Sequence, residues 1–250
     1  MATADRVLSV LALFTMDQPQ WTVEAAAAEL DLSASTAYQY FRSLVDGGML
    51  VGAKAGRYGI GPAVIAFDRL ARRTDRLVQA SEPVMKQLVE DIPEEAIALL
   101  CRSFRWQVMC VAQYAVRPPG FAISYERGRS MPMVRGSASK AVLAALPPRQ
   151  LRRFYADHAA EAAEAGLGAS WDEFRASVRA FRKAKVVVSH SEIDPGALGV
   201  SAPLADIDGA IGSIGVVVSA SRLAHDANRI ASVRNIVCSA AEAIAAELLK

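Results

Sequence analysis

Six polar side chains crowd one short stretch of the sequence: Ser33, Ser35, Thr36, Tyr38, Gln39 and Arg42. Ala37, Tyr40, Phe41 and Leu44 are interleaved with them at helical spacing, so a helix over residues 34–46 buries the second set and presents the first. The presented types suit nucleic acid. A glutamine side chain bonds adenine bidentately, and an arginine takes guanine or phosphate. Hydroxyls and free N–H groups at a helix start favour phosphate. Lys54, Arg57 and Tyr58 follow on a glycine-bearing turn, where the two basic residues would face a phosphate backbone.

A second chemistry is nominally present. Cys101 or Cys110 could act as nucleophile, His190 as base and Asp194 as orienter, the constellation of a thiol hydrolase. Both cysteines lie in apolar, strand-like runs, whereas reactive thiols need an electropositive and partly exposed setting. Residue types without geometry do not make a triad. The third cysteine, Cys238, stands alone, and no CxxC pair occurs. His158, His190 and His225 lack the short spacing of zinc ligands. Neither a metal nor a cofactor is expected, and Trp106 and Trp171 read as packing residues.

The elements that must position these residues follow from pattern and punctuation. Val7, Leu8, Leu11 and Phe14 share one face of a helix over 5–14, which Gln18-Pro19-Gln20 interrupts. Thr22 caps a helix over 23–30, and Ser33 caps the one over 34–46, which Gly47-Gly48 ends. Met49–Val51 and Arg57–Ile60 form a hairpin, and Gly61-Pro62 opens a connecting helix over 63–73. Beyond residue 78 helices and strands mix. Helices are expected over 79–90, 137–146, 151–157, 171–184 and 229–249. Strands are expected over 96–103, 107–114, 121–125, 186–188, 200–204 and 211–219, with a hairpin signal at Asp208-Gly209. The alanine-rich run 159–165 reads as a helix end or loop. Helices flanking antiparallel strands make an α+β chain.

Composition bounds the rest. Of 250 residues, 52% are hydrophobic, enough for a real core and too many for a disordered chain. The formal net charge of +2 is too small to mark the whole chain as a nucleic-acid binder, so that role rests on local patches. From Leu32 to Arg73 there are six basic residues against Asp46 and Asp68, a local excess of four. Three cysteines make no disulfide framework and fit a reducing compartment. No run of about 18 apolar residues is present, so no membrane span is expected. The start MATADRVLSVLALF is too short and too acidic for a signal peptide, and a cytoplasmic protein is expected.

Helix, tight turn, helix and hairpin is the winged helix-turn-helix plan, whose second helix enters the major groove. In this setting the segments LDLSASTAYQYFRSLVDGGML, GRYGIGP, GRSMPMVRGSASKAVLAALP, EIDPGALGVSAP and DIDGAIGSIGVVVSASRL gain a joint meaning. In that order and spacing they resemble the IclR (isocitrate lyase regulator) family of bacterial transcriptional regulators, over nearly the full length. The resemblance implies a winged helix-turn-helix DNA-binding domain over 1–61, a linker helix over 62–77, and a GAF-like α/β effector-binding domain over 78–250. It further implies a homodimer or homotetramer on palindromic double-stranded operator DNA, most often as the repressor of a catabolic operon. An activator of the same family, a Cys/His hydrolase and a protein-interaction module without a DNA role remain the alternatives.

The sequence departs from the family at both sites. Where the recognition helix often carries Lys-Ser-Thr-Val-His-Arg, this chain has Ala34-Ser35-Thr36-Ala37-Tyr38-Gln39, which leaves Arg42 and the wing as the basic contacts. The family's effector loop matches Met131 with Ser137-Ala138, and Ser139 follows. A family cysteine falls at Gly199, and two family serines fall at Val216 and Val218. Loss of these polar groups implies a small organic acid or lactone with a sizeable apolar part, because a buried polar ligand group without partners costs roughly 1–3 kcal/mol. The valines either face that ligand or point into the core. Arg102, Arg105, Arg117, Arg127, Arg129, Arg135 and Lys140 against Glu126 make the segment basic. They could attract an anionic effector or simply solvate a sheet edge.

Overall fold

The computed structural model describes residues 3–117, 120, 123–206, 209–223 and 226–249. It divides into two compact units, Met1–Thr74 and Asp75–Lys250.

The first unit holds α1 (Thr3–Ala12), β1 (Trp21–Thr22), α2 (Val23–Glu29), α3 (Ala34–Asp46), β2 (Leu50–Gly52), β3 (Arg57–Ile60) and α4 (Ala63–Thr74). Both middle helices start on a hydroxyl cap: Thr22 accepts from Ala25 N–H at 3.2 Å, and Ser33 from Thr36 N–H at 3.2 Å. Gly48, at φ +68, takes the left-handed conformation that stops α3. Val10, Val23, Ala26, Ala37, Phe41, Leu44 and Leu50 close the core, with the Phe41 ring edge-on to Tyr58 at 5.0 Å. β1 adds a third strand in the order β1-β3-β2. Two residues are too few to show alternation, so the sequence carried no sign of it.

The second unit runs α5 (Arg76–Glu90), β4 (Ala96–Phe104), β5 (Gln107–Tyr114), β6 (Ser130–Pro132), α6 (Ser137–Ala145), α7 (Pro148–Glu164), α8 (Trp171–Ala184), β7 (Val187–His190), β8 (Ala197–Asp206), β9 (Gly209–Ser219), α9 (Ala220–Leu223) and α10 (Ala227–Leu248). The strands form one sheet, β6-β5-β4-β9-β8-β7, antiparallel at every pairing. Strand periodicity sends alternate residues to opposite faces. Ala98, Leu100, Val200, Ile214, Val216 and Val218 join the core formed with α5 and α10. Ile97, Leu99, Cys101 and Val217 join the core that includes Val142, Phe154 and Phe174 from α6, α7 and α8.

Two sequence expectations change. The strand expected over 121–125 is absent at 123–125, and Phe121 and Ala122 lie outside the described residues. Ser124 N–H donates to the Asp194 carboxylate at 2.8 Å rather than to a strand partner, and the ladder forms later, at β6. The run 159–165 continues α7 as far as Glu164, as alanine's helix propensity favours. Asp208 lies outside the described residues, but Asp206 pairs with Gly209, so β8 and β9 are joined by a two-residue connection.

Candidate functional site

α3 presents a polar row above the first core. Ser35, Tyr38, Gln39 and Arg42 are exposed. The Arg42 side chain is 75% exposed and its Nε is 3.8 Å from Asp46. An exposed pair of this kind contributes about 1 kcal/mol or less, so it does not hold the guanidinium back. Ser33 and Thr36 are committed locally, their hydroxyls 2.8 Å apart at the helix start. Lys54 and Arg57 stand exposed on the wing. Ala55 and Gly56, at φ 58 and 68, turn the wing sharply. Tyr58 is half-buried and its ring packs on Phe41, so its ring supports α3 from below instead of standing on the surface with the wing charges. Val64, Phe67 and Leu70 leave an apolar stripe of α4 exposed, and Ile65 is exposed on another face.

In the second unit a cavity of ≈ 30 Å³ opens between the start of α6 and strands β7 and β8. That is room for a water or two. Ser137, Ser189 and Ser201 give it three hydroxyls, and Tyr125, Gly199 and Val217 line it as well. Ser137 N–H donates to Ser189 Oγ at 3.0 Å, and the Ser137 and Ser201 hydroxyls are 2.9 Å apart. The loop between β7 and β8 closes one side. Its Glu192 carboxylate accepts from Gly136 N–H at 3.0 Å and from Lys140 Nζ at 2.7 and 2.6 Å. Its Asp194 accepts from Ser124 Oγ at 2.6 Å as well as from the Ser124 N–H. Tyr125 OH meets Ser139 Oγ at 2.9 Å, and burial pushes the phenol well above its ordinary range, so it stays protonated.

The sequence-derived pocket residues divide three ways. Ser137, Ala138 and Gly199 line the cavity. Ser139 stands behind its wall on Tyr125, and Met131 is buried in the core of the same layer without lining the cavity. Val216 and Val218 lie on the opposite face, under α5 and α10, and the valine that faces the cavity is Val217. Matching the strand one residue out of step flips every side chain. The expected loss of polarity changes with it, since Ser189 and Ser201 supply hydroxyls that the family match did not single out. Their signal was a serine inside each of the apolar runs VVVSH and GVSAP. Glu192 had no local signal, being 52 residues from its lysine.

Of the seven basic residues in the 102–140 segment, several have internal partners. Arg102 Nη2 holds Asp75 at 2.7 and 2.8 Å, Arg127 Nε donates to Val111 O at 3.0 Å, and Lys140 holds Glu192. The thiol-hydrolase geometry is not assembled. Cys101 and Cys110 are buried neighbours across β4 and β5. His190 is exposed on β7, three strand spacings from β4, roughly 14 Å. The hydrogen bond with Cys110 and burial raise the Cys101 thiol well above its usual range, the reverse of activation. His225 lies outside the described residues. Among the described residues no three His, Cys, Asp or Glu side chains cluster as metal ligands, and no helix is long and apolar enough to cross a membrane.

Comparison with known proteins bears on both units. The family profile described as IclR helix-turn-helix domain matches residues 3–52, and that described as bacterial transcriptional regulator IclR C-terminal matches residues 71–246. No curated protein matches the sequence. Among solved structures, a putative IclR transcriptional regulator from Silicibacter sp. superposes with a TM-score of 0.80 at 16% identity, covering 99% of this chain and 96% of its own. An IclR-family regulator from Brucella abortus gives 0.78 at 17%, covering 98% and 92%. An IclR homologue from Microbacterium hydrocarbonoxydans, complexed with 4-hydroxybenzoate, gives 0.75 at 18%, covering 99% of both chains. These likenesses concern the fold; the profile match, which spans most of the chain, carries the assignment: the protein belongs to the IclR family of bacterial transcriptional regulators, with an N-terminal helix-turn-helix unit and a C-terminal effector domain.

Proposed function

We propose that the protein represses transcription by binding a palindromic operator with α3 in the major groove and the β2–β3 wing along the backbone, under control of a small organic acid or lactone bound between α6 and β8. The observation that carries the DNA part is the exposed row Ser35, Tyr38, Gln39 and Arg42, held rigidly over the buried Ala37, Phe41 and Leu44. Base readout comes from Gln39 and Arg42, and Lys54 and Arg57 position the protein on phosphates. One recognition helix covers only a half-site, so the protein acts as a homodimer or homotetramer. The exposed apolar stripe Val64, Phe67 and Leu70 is a surface on which two copies would meet. Work on DNA places the protein in the cytoplasm. The hydroxyl-lined cavity supports the effector part, and the homologue complexed with 4-hydroxybenzoate supports an acid with an apolar body.

Fluorescence anisotropy on the promoter region next to the protein's own gene, against random DNA of equal length, tests the DNA part. Arg42→Ala should cost about 1–3 kcal/mol on the specific site and little on random DNA. Lys54→Ala should weaken both about equally. Equal losses for Arg42→Ala on the two DNAs would show that it contacts only phosphate. The pocket is tested at Gly199. A Cβ there would come within 2.5 Å of Ser137 Oγ and 3.0 Å of Ser189 Oγ, side-chain atoms that can rotate aside. Gly199→Val should therefore fill the cavity and weaken effector binding at least tenfold, with a small change in melting temperature. Unchanged binding of 4-hydroxybenzoate or a related acid by calorimetry would move the effector site elsewhere.

A further inference from the structure

The cavity holds a carboxylate that belongs to the protein itself. Lys140 is only 7% exposed, and its ammonium group meets both Glu192 oxygens, one of which also takes the Gly136 N–H. The position is thus a built carboxylate seat: a buried cation and a backbone donor converging on one group. The occupant comes from a six-residue loop, Ser191–Gly196, closed on itself by Ser191 N–H to Ala197 O at 2.8 Å and Gly196 N–H to Ser191 Oγ at 3.1 Å. Its other polar ties are Asp194 to Ser124 and Gly196 O, which accepts from Ala220 N–H at 2.7 Å. The second tie holds the loop's C-terminal end, so the loop can swing from the cavity about Gly196 once Glu192 and Asp194 let go.

Resting on the pocket reading above, we propose that the effector is a monocarboxylate that replaces Glu192 on Lys140 and Gly136, and that Glu192 is an internal competitor setting the affinity and specificity of the site. With room for no more than a water or two, no organic ligand enters while the loop is in place. Moving the loop takes the counter-charge from a buried lysine, a state that is strongly disfavoured. A neutral ligand leaves Lys140 in that state. A carboxylate restores the pair, and its apolar body then lies against Leu99 and Val217. The exchange keeps the number of charged contacts constant, so affinity depends on how strongly the tethered Glu192 competes. A tethered group acts at an effective concentration in the millimolar range when the link is short. A weakly interacting acid is therefore shut out, and only one with a well-fitting body displaces the loop.

The test uses the full-length protein and two probes of the same ring, benzoate and benzyl alcohol, titrated calorimetrically. Glu192→Gln keeps the shape and one acceptor but removes the competing charge. It should tighten benzoate at least tenfold and change benzyl alcohol less than threefold. The unliganded variant should melt lower than the wild type, because Lys140 has lost its counter-charge, and benzoate should raise its melting temperature by more than it raises the wild type's. Lys140→Met, alone or combined with Glu192→Gln, should abolish the benzoate preference. Weaker benzoate binding in Glu192→Gln would overturn the proposal by making Glu192 a ligand-holding group, and equal tightening of both probes would reduce it to a loose steric cover. In both of those cases the pocket reading stands. If neither probe binds wild type or variant at millimolar concentration, the pocket reading itself falls and takes this proposal with it.

Discussion

Phe41→Ala should strongly destabilise the winged unit and so weaken binding to every DNA sequence alike. The ring is 1% exposed and stands edge-on to Tyr58 at 5.0 Å, joining the inner face of α3 to β3 of the wing. Phenylalanine-to-alanine changes in a core cost about 3–5 kcal/mol. A unit of about seventy residues has only roughly 4–10 kcal/mol in total, at 0.05–0.15 kcal/mol per residue. The variant therefore loses from about a third to more than all of the unit's stability. Its melting transition should fall by well over 10 °C, since each kcal/mol is worth about 4–8 °C at this size. The contrast with Arg42→Ala is the useful part, because that variant should melt like the wild type and lose only sequence discrimination. Circular dichroism melts and anisotropy on both DNAs separate the cases. A normal melt with lost binding in Phe41→Ala would mean that the ring acts on DNA directly.

How well the sequence reveals this protein depends on how local the determining interactions are. Both ends of α3 were legible because Ser33 and Gly47-Gly48 mark them with side-chain and backbone chemistry of their own. The helix expected over 171–184 is α8, and the Ser170 hydroxyl caps its start by accepting from Glu173 N–H. Of the four inner strands, β4, β5 and β9 were visible as apolar runs. Strand β6 was not, since three residues pairing beside a proline carry no period. The DNA-facing row needed only the helical period, which places Gln39 and Arg42 opposite Phe41.

The pocket was harder for a physical reason. A strand's two faces differ by one residue, and β9 is apolar on both, so nothing in GSIGVVVS says which valine faces α6. The face is settled by packing, which puts Val216 and Val218 beneath α5 and α10. The Lys140–Glu192 pair joins residues from two distant segments through tertiary structure alone. A lysine in the first turn of a helix reads as a surface charge. Tertiary packing makes it a buried one, with the Phe181 ring of α8 5.8 Å from its Nζ.

The same strand supplies the other large effect. Gly215→Val should destabilise the second unit by roughly 3 kcal/mol or more, the upper end of overpacking costs, because the clash is with backbone. Gly215 lies directly opposite Ser201 in the β8–β9 ladder. A Cβ built there falls 2.2 Å from Ser201 Oγ, 2.4 Å from Val200 O and 2.8 Å from Ser201 Cα. Rotation of the serine relieves only the first contact. The others require β8 to move away from β9 in the middle of the sheet, where α6 also packs. The functional consequence follows from the same atoms, since Ser201 holds Ser137 at the cavity. A partly folded variant should therefore bind effector at least tenfold more weakly. Gly52 is the matched control: it too lies in a strand, but nothing stands within 4 Å of a Cβ placed there, so Gly52→Val should leave stability nearly unchanged. Urea denaturation of both variants measures the difference. Equal midpoints would show that β8 and β9 can separate freely, and the close approach at Gly215 would then not be what shapes the floor of the pocket.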